Sequence, residues 1–247
     1  MKKRIILFMV FCFCSIIGIR NVSAKEVFYT NEKGFEFSEE EYNFFKKVYG
    51  EKLVQKYFDE NLYDDYAGID FANTEVQTKK YTTSESRQPL LRDSPYYSTP
   101  AKSIQISNVC TSIMCRVSVT ATWLGDPTVK SYDDIGMCLA GVTRLGTVET
   151  LAYSDSNSTF DETTKYQSNG FGATVLLPQG NDIVILQSFN YSGHGTGYAS
   201  YQHAMSTSSL TLAQQFNIDP VGYGEVFGFY GGAEDIYDAM NGVNLVV

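Results

Sequence analysis

Cys115-Arg116-Val117-Ser118-Val119-Thr120-Ala121-Thr122-Trp123 alternates without a break, apolar at the odd positions and polar at the even ones. A period of two sends successive side chains to opposite faces of a strand, so residues 114–124 read as a half-buried β-strand with a core face and a wet face. Trp123 falls on the apolar face and reads as core filler. Downstream, Asp126-Pro127 and residues 131–134 supply a loop, after which Ile135, Met137 and Leu139 resume the alternation in a partner strand. Further strands are expected at 104–109, 172–177, 182–190, 198–205, 225–230 and 243–247. About eight short strands separated by Gly, Pro, Asn and Ser clusters predict an antiparallel β-sandwich over residues 102–247. Ser192-Gly193-His194-Gly195-Thr196-Gly197 is expected as a glycine-rich hairpin tip joining two of them. It lacks the Gly-Lys-Ser/Thr ending of a phosphate loop.

Upstream the period changes. Ser38 followed by Glu41 forms a capping box, and Phe37 with Tyr42 is spaced as a hydrophobic staple. Tyr42, Phe45, Val48 and Tyr49 then recur at helical spacing, Gly50 interrupts, and Leu53, Val54, Tyr57 and Phe58 continue an apolar face in a second short helix. Two short helices cannot bury such a stripe alone, so it must meet the downstream domain, a partner or another copy. The fold class is therefore mainly β, a C-terminal antiparallel sandwich preceded by an amphipathic helical segment over 25–71. Residues 72–101, rich in Thr and Ser and carrying Pro89, Pro95 and Pro100, read as an extended polar linker.

Residues 1–24 have the form of a secretory signal: the basic start Met1-Lys2-Lys3-Arg4, the apolar run 5–19, and Val22 and Ala24 at the −3 and −1 positions of a cleavage site. The run is short for a membrane span, and no later stretch approaches the about eighteen apolar residues a transmembrane helix needs. The expectation is export with cleavage near Ala24 and no transmembrane anchor. Cleavage removes four basic residues and no acidic one, moving the formal charge from −9 to −13. That balance opposes nucleic acid and anionic membrane surfaces as partners. The mature chain keeps Cys110, Cys115 and Cys138, an odd count that allows one disulfide and one thiol outside the cytoplasm. Cys110 with Cys115 would close a loop ahead of a strand, whereas Cys115 with Cys138 would clip neighbouring strands. Neither histidine lies near these cysteines in sequence, so they do not read as a metal site.

No motif specifies a reaction or a cofactor. His194 and His203 are the only histidines, and any Ser-His or Cys-His mechanism must use one of them. His194 between two glycines is either an exposed loop residue or a mobile base or ligand contact. His203 shares a strand face with Ala199, Tyr201 and Met205 and reads as a buried histidine. Asp155, Asn157, Thr159 and Asp161 alternate as in a calcium loop, but Phe160 stands at the turning-glycine position and Tyr166 at the bidentate-glutamate position of an EF-hand. Asp155, Asn157 and Asp161 are thus metal candidates only for another loop geometry. Tyr96, Tyr97 and Tyr198 are the more open aromatic candidates for stacking against a ligand.

Residues 123–136 (Trp-Leu-Gly-Asp-Pro-Thr-Val-Lys-Ser-Tyr-Asp-Asp-Ile-Gly), Asn169-Gly170-Phe171-Gly172, and Ser200-Tyr201-Gln202-His203-Ala204 with Gly222-Tyr223-Gly224-Glu225-Val226-Phe227 resemble uncharacterised secreted proteins of low-GC Gram-positive bacteria. The resemblance implies export and a β fold and carries no activity. In such proteins a larger polar residue would stand at Cys138, which leaves the pairing of that cysteine open. Together these readings imply a secreted, non-enzymatic protein whose sandwich loops meet an extracellular or cell-surface ligand, glycan or protein. The alternatives are a membrane-active toxin or bacteriocin-like protein built on residues 183–212 and a hydrolase using His194 or His203. The intact mass of the exported product is expected to correspond to a chain starting at Lys25 and lighter by about 2 Da for one disulfide; a mass that retains residues 1–24 would contradict the signal reading.

Overall fold

The computed structural model describes residues 26–82, 86–88, 97–99, 101–112, 114–125, 132–155, 161–167, 170–176 and 182–204, with four short strands beyond. The expected signal segment 1–24 lies outside the described residues. A small hairpin, β1 (Tyr29–Thr30) and β2 (Glu36–Phe37), precedes three helices, α1 (Glu39–Tyr49), α2 (Glu51–Lys56) and α3 (Glu60–Asp64). Strands follow: β3 (Val76–Thr82), β4 (Ser86–Gln88), β5 (Tyr97–Thr99), β6 (Lys102–Cys110), β7 (Cys115–Trp123), β8 (Tyr132–Tyr153), β9 (Asp161–Gln167), β10 (Gly170–Leu176) and β11 (Val184–Ala204). The last four are β12 (Thr211–Ala213), β13 (Gly228–Tyr230), β14 (Tyr237–Ala239) and β15 (Val243–Val246).

Helix α1 starts as its sequence predicts. The Glu41 amide donates to Ser38 Oγ and the Ser38 amide to Glu41 Oε2, at 3.3 and 2.8 Å, which satisfies two of the amides a helix start leaves unpaired. Phe37 meets Tyr42 at 6.0 Å between ring centroids, completing the staple. Gly50, at φ +82°, ends α1 and opens α2, a left-handed conformation that glycine adopts without a Cβ penalty.

The antiparallel sheet runs β3-β6-β7-β11-β8-β10-β9. Strands β8 and β11 are each long enough to serve two halves of it, and irregularities in their pairing bend them. Around Gly146, β8 carries extra residues against Ser188 and Asn190, and β11 carries one between Gly193 and Thr196. Ahead of the bend β11 borders β7; beyond it, the same edge pairs with β15 and β14. Although β11 and β7 separate them in the ladder, β15 lies against β6 and β3, so the sheet doubles back on itself. Ile106, Val119, Trp123 and Ile185 from the first half then share one core with Ile135, Met137, Val175 and Tyr201 from the second. This is the sandwich-like arrangement the alternation predicts.

Three expectations change. Ser192 to Gly197 is not a hairpin tip: the segment continues within β11, and 184–190 and 198–204 belong to a single strand. The reason is close approach of two bends. A Cβ on Gly141 (φ +83°) would stand 2.8 Å from the His194 carbonyl oxygen, so glycine lets β8 follow β11 through the bulge. Second, Val76–Thr82, inside the segment whose composition reads as linker, pairs with β6 as an exposed edge strand. Third, the wet face of β7 is dry: Arg116, Ser118 and Thr120 are 8%, 0% and 5% exposed. The helices cover it.

The aromatic stripe is buried against this second face of the sheet. Phe45, fully buried, packs 4.4 Å from Phe58 and 5.3 Å from Phe71 between ring centroids, and the same cluster reaches Val109, Val184 and Leu186 of the sheet. Truncating Phe45 to Ala is expected to destabilise the fold by about 3–5 kcal/mol, read as a lower urea midpoint; a change below about 1 kcal/mol would mean that the helical layer does not unfold with the sheet.

Candidate binding groove

The helical layer is fastened by polar groups of the sheet. Gln105 Nε2 donates to the Lys47 carbonyl at 2.7 Å, Ser107 Oγ to the Val48 carbonyl at 2.8 Å, and Thr78 Oγ1 to the Lys47 carbonyl at 3.0 Å. These carbonyls belong to the last turn of α1, which has no intrahelical donors for them. On the far side, Asp182 is bridged by Lys52 and Lys56, while Lys52 Nζ also donates to the Trp123 carbonyl at 2.6 Å and Tyr57 Oη to the Asp182 carbonyl at 3.0 Å. Burial works to raise the Asp182 carboxyl, but the hydrogen bonds from Lys52 and Lys56 outweigh it and leave it below the usual carboxylate range.

Between these two fastenings the α1–α2 junction stands off the sheet and leaves a groove of about 280 Å³. Ser103, Gln105, Thr120 and Thr122 form its floor, Tyr49, Gly50, Glu51, Lys52, Leu53 and Gln55 one wall, and Lys80, Leu124 and Val184 complete its lining. Thr122 Oγ1 is occupied by the Ile183 carbonyl at 3.0 Å. Thr120 Oγ1 is buried and has no hydrogen-bond partner among the described residues. A buried hydroxyl left unpaired costs about 1–3 kcal/mol; among the described residues Thr120 Oγ1 shares this state with Tyr49 Oη, which also lines the groove, and with Ser118 Oγ on the same strand face.

A larger depression of about 360 Å³ follows α3, lined by Asp65, Tyr66, Ile69, Thr111 and Met114 among others. Its polar neighbourhood is structural. The Arg116 guanidinium binds Asp65, Glu149 (3.0 Å), Ser188 Oγ (2.9 Å) and Asn190 Oδ1 (3.2 Å), tying the end of α3 to β7, β8 and β11. Burial raises the Asp65 carboxyl to about 6 despite the opposing pull of Arg116.

The residues singled out by sequence are not brought together here. His194 is exposed on the bulge of β11, and His203 lies on β11 opposite Asp133 and Asp238, its side chain outside the described residues. Tyr198 pairs in the backbone with Cys138 and Asn244; Tyr97 opens β5; Tyr96 lies outside the described residues. Asp155 is exposed after β8, Asp161 opens β9, and Asn157 lies outside the described residues, which hold no cluster of three metal-ligating side chains. Cys110 and Cys115 are disulfide-bonded across the β6–β7 turn, with Cα atoms 4.0 Å apart. Trp123 is fully buried, as expected of core filler. The groove was missed because its floor reads in sequence as solvent-facing; the one usable signal was that Ser103, Gln105, Thr120 and Thr122 alternate on strands adjacent to an unpartnered aromatic helix.

No protein-family model matches the chain, and no curated protein matches it. Among solved structures it is similar to the KRT10-binding region domain of the pneumococcal serine rich repeat protein PsrP, with 10% identity and a TM-score of 0.33 over 52% of this chain and 86% of that one. A likeness of that size transfers neither a site nor a ligand.

Because the folded pKa of Asp65 lies above its unfolded value near 3.8, the folded state holds its proton longer. Its contribution to stability is therefore fully present below that value and is lost as pH rises through about 6. Compared with D65N by urea unfolding, the wild type is expected to lose relative stability between pH 4 and 6.5; parallel curves would mean that the carboxyl titrates at its ordinary value.

Proposed function

We propose that the protein is a secreted, non-enzymatic recognition module whose β domain binds an extracellular or cell-surface ligand, a glycan or a protein. The observation that carries this reading is the groove under the α1–α2 junction: a concave, polar-floored site with a buried, unpartnered Thr120 hydroxyl. Its walls are held at both ends by hydrogen bonds and ion pairs between the helices and the sheet. A preformed site loses less entropy on binding than one that must order first. Export is supported by the form of residues 1–24, and the acidic balance of the mature chain argues against nucleic acid or an anionic bilayer as the ligand.

No helix among the described residues is long and apolar enough to cross a membrane. The bulge that carries His194 belongs to a packed strand rather than a free hairpin, which takes away the feature that favoured a membrane-inserting or catalytic tip. Residues 25–247, labelled and sedimented with cell-wall glycans, intact bacteria, animal cells or liposomes, are expected to show saturable binding to a glycan or one cell type. Binding to liposomes alone would replace this reading with a membrane-active one, and binding to none of the four would end it.

A further inference from the structure

The groove also constrains the chemistry of what enters it. We infer that it takes a single neutral sugar ring, the terminal or exposed unit of a glycan, with Thr120 and Gln105 as its polar contacts on the floor. This inference rests on the recognition reading above and narrows it to one ligand class.

Size comes first. About 280 Å³ lies just below the roughly 300–1,000 Å³ of pockets that enclose drug-sized molecules, so one ring fits and a folded peptide segment does not. Polarity comes second. Thr120 is 5% exposed, and its orphan Oγ1 is able to donate and to accept. Gln105 spends its amide nitrogen on the Lys46 and Lys47 carbonyls, which turns its oxygen into the group left for a ligand; that oxygen stands 3.7 Å from where a Cβ on Gly50 would be, and glycine leaves the approach open. Gln105 thus offers an acceptor and Thr120 a group that both gives and takes a hydrogen bond, a pair that matches hydroxyl groups, which do both.

Charge decides between a neutral and an acidic ring. Lys52 is engaged by Asp182 and the Trp123 carbonyl, and Glu51 is engaged by Lys46 and Gln55. Lys80 remains as a cation on an exposed edge strand, a position where solvent weakens its pull on an anion. Among the described residues Lys80 is the one unengaged cation that lines the acceptor-bearing floor, so a carboxylate on the ring gains little and meets the Gln105 oxygen unfavourably. Val184 and the exposed Leu124 supply an apolar margin for the C–H face of a ring.

The experiment is saturation-transfer NMR followed by calorimetry on residues 25–247 with glucose, galactose, mannose, N-acetylglucosamine and N-acetylgalactosamine, and glucuronate as the acidic comparator. At least one neutral sugar is expected to bind saturably and more tightly than glucuronate. T120V, which keeps the side-chain shape and removes the hydroxyl, is expected to weaken it by about three- to tenfold while the melting temperature stays level or rises, since an orphan polar group has been removed. S192A, on the distant bulge, is expected to bind as the wild type does. Absence of saturation transfer from every neutral sugar, preference for glucuronate, or equal affinity in T120V each overturns the inference. The sedimentation assay separates the two levels: if wild type and T120V bind cells or glycans equally, recognition lies on another face and only the groove fails, whereas no binding in either assay removes the module reading as well.

Discussion

The last carbonyls of helix α1 accept hydrogen bonds from Gln105, Ser107 and Thr78, three side chains of the sheet. A helix end placed on a protein surface is normally served by water, and one placed on an apolar surface would be left unpaired at a cost of about 1–3 kcal/mol per group. Here the sheet itself supplies the donors. That exchange lets the aromatic helices lie flat on a strand face built of Ser, Thr, Gln and Arg. It makes that face an interface rather than a surface, and the register of α1 against β6 follows from it.

Two different kinds of interior result. Inside the doubled sheet, Ile, Val, Met, Ala and Trp side chains meet in a largely apolar core, joined by Tyr191 and Tyr201, whose hydroxyls donate to Asn108 and Asp133. Under the helices, aromatic rings pack against one another while charges are tied off in pairs and triads: Asp182 with Lys52 and Lys56, Arg116 with Asp65 and Glu149. Partly buried ion pairs of this kind do little for net stability, because desolvation consumes much of the Coulomb gain, but breaking one leaves the more buried partner, Asp182 or Arg116, poorly compensated. They act as register pins. Between the pins the helix pair turns at Gly50, and the space left under that turn is the groove.

The bend of β8 and β11 is the other determinant. Gly141 and Gly193 approach each other so closely that a Cβ on either would press on the opposite backbone, and the irregular pairing on both sides turns one long ladder into two facing layers. This device removes the hairpin that composition places at residues 192–197. It also carries His194 onto the exposed bulge of a strand, outside the groove lining.

Much of this architecture is written locally. The alternation of residues 115–123 determines a strand, Ser38 with Glu41 determines where α1 starts, and the five-residue spacing of Cys110 and Cys115 places them where a tight turn brings strand ends together; each depends on neighbours in sequence alone. Which side of β7 faces water does not. Period-two patterning reports polar against apolar, and a polar face is equally served by solvent or by a helix whose terminal carbonyls need donors. Only the docking of α1 and α2 decided that Ser107, Ser118 and Thr120 are dry, and only that docking converts an ordinary threonine into a buried hydroxyl without a partner. The same holds for Gly141 and Gly193, whose need for glycine shows only when the two strands are brought within contact, because close approach between distant segments leaves no mark in either segment by itself.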